Sequence, residues 1–278
     1  LNDINVIDLA SYDGKLKLLD FDLGTLIEDT NVGSVSTSLN INGKGLTVES
    51  ISSNIDGIFE RFEFNNYDYS NVEVLGFIEN RIFSGQLKTN DLNLKLYFKG
   101  LVDFSKNENI YDFSANIKQA NLNALNFNKS DKISFFSGNV DMDMEGTNLD
   151  DLRGEIKFTN TQYENQNDNY YFKDFQVTSK FDSDRIRTIL IDSPEIISGT
   201  FQGTFKLKEI PKLVQNSLGH IYYQNLNHEI SPGQSLNFNF NIYNKIIEIF
   251  YPNLELGSNT LFKGILDSDP NKFILGFK

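Results

Sequence analysis

His220 and His228 are the only imidazoles in this chain, and cysteine is absent. A zinc centre draws three or four ligands from Cys, His, Asp and Glu. These two histidines would therefore need clustered acids, and the acids are spread along the sequence instead. The densest acidic row is Asp141, Asp143 and Glu145, at alternate positions. On a strand this spacing puts all three carboxylates on one face. A carboxylate pair can cleave a glycosidic bond when the second acid stands across the site. The intervening Val140, Met142 and Met144 give a plainer reading, the solvated face of an amphipathic strand. Asp91, Asp150 and Asp151 stand beside turn-forming residues, where a carboxylate hydrogen-bonds local backbone. No Gly-x-Ser-x-Gly elbow, phosphate-binding Gly-x-x-x-x-Gly-Lys loop or dinucleotide fingerprint occurs. Gly43-Lys44-Gly45 reads as a turn. The sequence thus predicts no catalytic residues, no metal and no cofactor.

What remains is the apolar content and its spacing. The 278 residues include 24 Phe, 12 Tyr and no Trp, with 39% hydrophobic residues overall, enough for a sizeable core. Asn occurs 35 times. It favours turns and weakens helices, which predicts many loops. Only five Pro interrupt strand pairing. A net charge of −13 repels nucleic-acid phosphates and anionic headgroups, and no basic stripe offsets it. No run of eighteen apolar residues is present. The chain opens mid-pattern at Leu1 and ends on FILGFK, which reads as part of a longer protein.

The hydrophobic period is 2 almost throughout. From Leu92 to Phe104 the residues Leu92, Leu94, Leu96, Phe98, Val102 and Phe104 fall on one face, and Asn93, Lys95, Lys99 and Asp103 on the other. Val140, Met142 and Met144 repeat the pattern, as do Phe201 with Phe205, and Phe238 with Phe240. Further strands are expected at Lys15 to Leu23, Val35 to Asn42, Phe62 to Tyr67 and Asn71 to Glu79. Turns are expected at Asn42-Gly43, Lys106 to Asn109, Gln166 to Asn169, Pro232-Gly233 and Gly257 to Asn259. Helix is expected over Ile210 to Gln224, and weaker turns of helix at Ile51 to Phe59 and Ala120 to Phe127. A loose repeat places Gly inside strands, in Ser84 to Gly100, Ser137 to Gly146, Ser198 to Phe205 and Asn259 to Asp267. These glycines read as bulges or bends. The fold class is therefore all-β: a long, curved, mostly antiparallel sheet with one or two short helices. It reads as continuous segments 1–130 and 131–278 with a soft boundary near Asn126 to Lys132. The apolar face is either filled core, as in a sandwich or barrel, or the lining of an open trough. Periodicity leaves both open and favours the filled core.

The repeated units resemble one family. Phe83-Ser84-Gly85-Gln86-Leu87, Asn90-Asp91-Leu92-Asn93-Leu94 and Phe98-Lys99-Gly100-Leu101-Val102-Asp103-Phe104 are similar to the motif order of the AsmA/TamB (translocation and assembly module) proteins. Asn148 to Phe158, Tyr170 to Phe175, Arg187 to Ser193, Ile197 to Leu207 and Thr260 to Asp267 follow in the same order. The similarity runs from about Val35 to the end. It implies the middle section of an envelope-spanning protein, held to the inner membrane by a segment outside this chain. It also implies a periplasmic β-groove (β-taco) that carries phospholipid acyl chains toward the outer membrane and supports outer-membrane biogenesis. The implied partner is an Omp85-type outer-membrane barrel, bound through parts outside this chain. The residues expected to line the groove are Leu94, Leu96, Phe98, Val102, Val140, Met142, Met144, Phe201, Phe205, Phe238 and Phe240. The rival reading is a structural or adhesive β-repeat with a filled core.

Overall fold

The computed structural model describes residues 6–222, 228–243, 259–269, 272 and 274–278. Fifteen strands pair in sequence order into one open antiparallel sheet, β1 to β15, with β1 and β15 as its two edges. Each strand pairs only with its neighbours in sequence, and most of the described connections are short turns. The chain forms two compact units, Leu1–Asp143 with Thr159–Tyr171, and Met144–Phe158 with Phe172–Lys278.

The first unit is carried by β1 (Ser11–Asp22), β2 (Val32–Lys44), β3 (Ser52–Phe64), β4 (Tyr67–Glu79), β5 (Ile82–Asn90), β6 (Leu94–Asp103) and β7 (Asn109–Asn121), with β8 (Ser134–Gly146) and β9 (Arg153–Asn165) following. A five-residue helix α1 (Leu23–Ile27) joins β1 to β2 and is capped by the Asp22 carboxylate on the Thr25 N–H. Two hairpins turn on residues with left-handed backbone: Asn65 and Asn66, and Asn80 and Arg81. Positive φ at both central residues is what a two-residue hairpin of matching twist requires, and Asn tolerates it. Asn42-Gly43 is no turn. Gly43 lies inside β2, between Tyr12 on β1 and Ser53 on β3.

Ile51 to Phe59, expected as helix, is the first half of β3. Its apolar residues Ile51, Ile55, Ile58 and Phe59 mimic helical spacing because Ser53 and Gly57 blank two positions of a period-2 row. The pairing shows that row intact as Ser53, Ile55, Gly57 and Phe59. Leu92 and Phe104 fall outside β6, and Leu92 is 82% exposed in the β5–β6 turn. Ala120 to Phe127 is not helix: β7 runs to Asn121, and turns follow. Gly76, Gly85, Gly100, Gly199, Gly203 and Gly264 are paired in register and are not bulges. Shifts occur at Leu18/Phe21, Val32/Val35, Ser36/Thr37 and Lys95/Leu96 instead. The glycines admit aromatic rings. A Cβ on Gly76 or Gly85 would meet the Phe83 ring, and one on Gly264 or Gly199 would meet Phe238 or Phe240.

The second unit contains β10 (Asn169–Phe181), β11 (Arg187–Ser193), β12 (Ile197–Thr204), β13 (Ser235–Ile242), β14 (Thr260–Asp267) and β15 (Ile274–Phe277). Between β12 and β13 a 3-10 turn (Leu207–Glu209) leads into α2 (Ile210–Tyr222), as expected, with Pro211 in the first turn. The turns at Lys106 to Asn109, Gln166 to Asn169 and Pro232-Gly233 are also as expected. Gln224 and most of the expected Gly257 to Asn259 turn lie outside the described residues.

Candidate functional site

The pairing of β1 through β7 aligns four cross-strand rows on one face. The first joins Leu16, Leu39, Gly57, Val74, Leu87, Phe98 and Ala115, and the next joins Gly14, Ile41, Ile55, Gly76, Gly85, Gly100 and Phe113. A third joins Leu18, Thr37, Phe59, Val72, Thr89, Leu96 and Ile117. The fourth joins Tyr12, Gly43, Ser53, Ile78, Phe83, Val102 and Tyr111. Directly opposed residues interact side by side, so these rows make one apolar surface seven strands wide. Where Gly76, Gly85 and Gly100 are opposed, the missing side chains leave room for the Phe83 ring over Gly76 and Gly85, with Phe98 and Phe113 alongside. Their ring centroids lie 6.3 Å (Phe83 to Phe98) and 5.0 Å (Phe98 to Phe113) apart.

Leu39, Ile55 and Val74 are buried by their neighbours on this face, but Ile41, Phe59, Ile78, Phe83 and Leu87 around them are only half-buried. So are Leu94, Leu96, Phe98 and Val102, four of the residues assigned to a groove. Among the described residues of the first unit no second sheet or helix lies over the central rows. A core sealed on both sides would bury such side chains fully.

One rim of the face is closed. The connection between β7 and β8, residues 122–133, turns back so that Leu125 is 1% exposed and packs with Tyr69 and Ala120. Leu122, Leu94, Ile117, Val72 and Phe62 pack against the same cluster. The segment is fastened by amides. Asn126 donates to the Asn65 carbonyl at 3.0 Å and the Asn66 carbonyl at 3.2 Å, and Asn65 donates back to the Asn126 and Leu125 carbonyls. At its other end Asp131 accepts from the Tyr163 hydroxyl at 2.6 Å, from Gln166 and from Asn128. Burial pushes the Tyr69 phenol up to about 12, helped by the nearby Tyr67 and Asp91.

The same rim carries Asp91, which is buried and accepts from the Tyr67 hydroxyl at 2.6 Å, the Ser70 N–H and hydroxyl, and the Asn93 N–H. Burial alone would raise its pKa, but these donors outweigh it and hold the carboxyl below its ordinary value. Asp131 is lowered by the Tyr163 and Gln166 hydrogen bonds. A depressed native pKa gives stability that is present above the unfolded value, about 3.9 for Asp, and lost as pH falls through the native one. Urea midpoints should therefore stay level down to about pH 5 and fall at lower pH. Asp91→Asn, whose amide cannot accept from all these donors, should lower the midpoint at neutral pH and shrink the acid limb. An unchanged acid limb would remove Asp91 as its cause.

The remaining assigned residues divide. On β8, Val140 and Met144 are buried and Met142 is half-buried. In the second unit Phe201 is half-buried, whereas Phe205, Phe238 and Phe240 belong to a filled core with Leu236, Leu266 and the α2 residue Leu213. There α2 occupies the space an open trough would need. The sequence signal for this cover was present in the helical spacing of Leu213, Val214 and Leu218; the first two pack on that core, and the Leu218 side chain lies outside the described residues.

The polar candidates resolve into structural partners. Asp141 accepts a hydrogen bond from Ser114, and Glu145 pairs with Arg153 at 2.8 Å. Asp151 caps the Thr147 and Asn148 N–H groups, and Asp150 accepts from the Leu207 N–H at 2.8 Å. The side chain of His220 lies outside the described part, and His228 is exposed. Among the described residues no three His, Asp or Glu side chains converge as a metal site would need. No described helix is long and apolar enough to cross a membrane. A depression of about 630 Å³ spans β1 to β5, but Lys15, Asn40, Asn42, Asn54, Asp56 and Phe77 in its lining alternate with the apolar rows. It therefore belongs to the opposite, polar face.

No protein-family model, no curated protein and no solved structure matches this chain.

Proposed function

We propose that the apolar face of β1 to β7 holds lipid acyl chains, and that the chain is a section of an AsmA/TamB-like lipid-carrying groove. The observation that carries this reading is the half-burial of Leu96, Phe98, Val102, Phe83 and Ile41 on one continuous face that no described element of the first unit covers. An acyl chain needs apolar contact along its length and no specific hydrogen bonds. Each methylene removed from water contributes about 0.8 kcal/mol. Rows that repeat at every strand, about 4.8 Å apart, offer equivalent positions from strand to strand, which permits a chain to slide. The polar face, with Lys15, Asn40, Asn54 and Lys99, keeps the other side in water. In this reading the protein works in the periplasm between inner and outer membrane. Its anchor and its Omp85-type partner contacts lie in parts outside this chain.

The filled core beneath α2 favours a second reading for the second unit, a β scaffold that carries no cargo. Native mass spectrometry of protein purified in mild detergent separates the two. Phospholipid or fatty acid that stays bound after detergent removal supports the acyl-chain reading. Protein that is free of lipid in every preparation, and binds none when it is added, leaves only the scaffold.

A further inference from the structure

We propose that residues 122–133 act as a stop at one rim of the apolar face. A bound acyl chain then lies along the strands with its methyl end against the half-buried Leu94, Ile117 and Leu122, which the buried Leu125 backs, and its polar end at the opposite rim. This rests on the acyl-chain reading above and adds an orientation and a length limit to it. The two rims of the first unit differ. At one, the β3–β4 turn, the β5–β6 turn and the β7–β8 connection come together. There Leu125, Tyr69 and Ala120 are buried, and Leu94 at the start of β6 is already in contact with them. At the other rim the strands end in the Asn80-Arg81 turn and the turn after Asp103. Phe104 is exposed there, and an ion pair joins Arg81 to Glu49 at 3.4 Å. The buried cluster closes the first rim, whereas the second stays open to water between charged turns and the exposed Leu46 and Phe104. A hydrocarbon tail belongs at the first and a hydrated head at the second. On β6 the free stretch from Leu96 to Val102 is roughly 20 Å long at ~3.3 Å per residue, the scale of a long fatty acyl chain.

The stop is held independently of any cargo. The reciprocal Asn65–Asn126 amides tie it to the β3–β4 turn, and Asn128, Asp131 and Ser134 tie it to Tyr163 on β9. It is therefore formed before a chain arrives and sets where the chain ends.

The chain has no cysteine, so single-cysteine variants can carry one fluorophore each. Lys129→Cys places it on the stop and Asn107→Cys on the opposite rim, both at exposed positions. Stearate with a nitroxide near its methyl end should quench the Lys129→Cys label more than the Asn107→Cys label. Stearate with the nitroxide near the carboxylate should do the reverse. Saturated fatty acids of increasing length should gain about fourfold in affinity per methylene and then stop gaining when the tail reaches the stop. Leu125→Ala, or the milder Leu122→Ala should Leu125→Ala fail to fold, should move that break to longer chains. Equal quenching at both labels, or affinity rising without a break through docosanoate, overturns the stop while leaving the acyl-chain reading intact. Wild-type protein that binds none of these probes overturns both.

Discussion

Phe98→Asp should reduce acyl-chain photocrosslinking to the first unit to background and leave far-ultraviolet circular dichroism unchanged. Phe98 sits at the middle of the face, opposite Leu87 on β5 and Ala115 on β7, with Phe83 and Phe113 on either side. Losing one large apolar side chain from a contact surface costs about 1.5–3 kcal/mol, roughly ten- to hundredfold in affinity. A carboxylate at this position does more, because it holds water where a methylene chain must lie dry. The strand should survive the change. Phe98 is half-buried, so its replacement opens no sealed cavity, and the β6 register is fixed on both sides by backbone pairing. Lys99→Ala, one residue away on the polar face, is the matched control and should crosslink like wild type. Undiminished crosslinking of Phe98→Asp would refute the assignment. Collapse of the β signal would show that Phe98 is core.

Much of this face was readable from period-2 spacing, and its limits were not. Leu94, Leu96, Phe98 and Val102 alternate in sequence, and they share a face in the structure. What alternation cannot carry is whether something lies on top. Phe98 and Phe238 are equivalent by pattern. The first is half-buried and the second sealed, because α2 follows β12 and no helix of that length stands among the described residues of the first unit. Alternation also fails where small residues take apolar positions. Ser53 and Gly57 made β3 resemble a helix, and the Asn65-Asn66 hairpin was hidden because neither residue is glycine. The stop was misread as helix because Leu122 and Leu125 have helical spacing. Their partners, Asn65 and Tyr69, are more than fifty residues away and leave no local signature.

Arg187 is a case in which sequence offered nothing and structure makes a large prediction. It is one arginine at the start of β11, yet it is 3% exposed. Its Nε donates to the Ser179 hydroxyl at 3.0 Å, and its terminal nitrogens donate to the carbonyls of Leu149, Asp150 and Leu152 at 2.9, 3.2 and 2.6 Å. The Phe181 ring lies 5.3 Å from the guanidinium. Burial draws its pKa down and the nearby Asp150 and Asp151 draw it up. A guanidinium stays charged regardless, and only its planar fork can serve these acceptors together. Arg187→Met keeps the length and takes this donor from the Leu149 and Asp150 carbonyls, while the Leu152 carbonyl keeps only the Ser179 hydroxyl. Hydrogen bonds to a charged group contribute about 1.5–3 kcal/mol each, so losing several should cost about 3–5 kcal/mol and, for a chain of this size, lower Tm by about 10 °C. Arg187→Lys keeps the charge and should fall between. The effect should extend further along the chain. The same loop presents Asp150 to the Leu207 N–H, at the turn from which α2 starts. If Arg187 holds that loop, hydrogen exchange in α2 should quicken in Arg187→Met under conditions where β2 to β5 stay protected. A Tm within about 2 °C of wild type, smaller than the shift expected for loss of a single net hydrogen bond, would show that the buried guanidinium is not what fixes the loop.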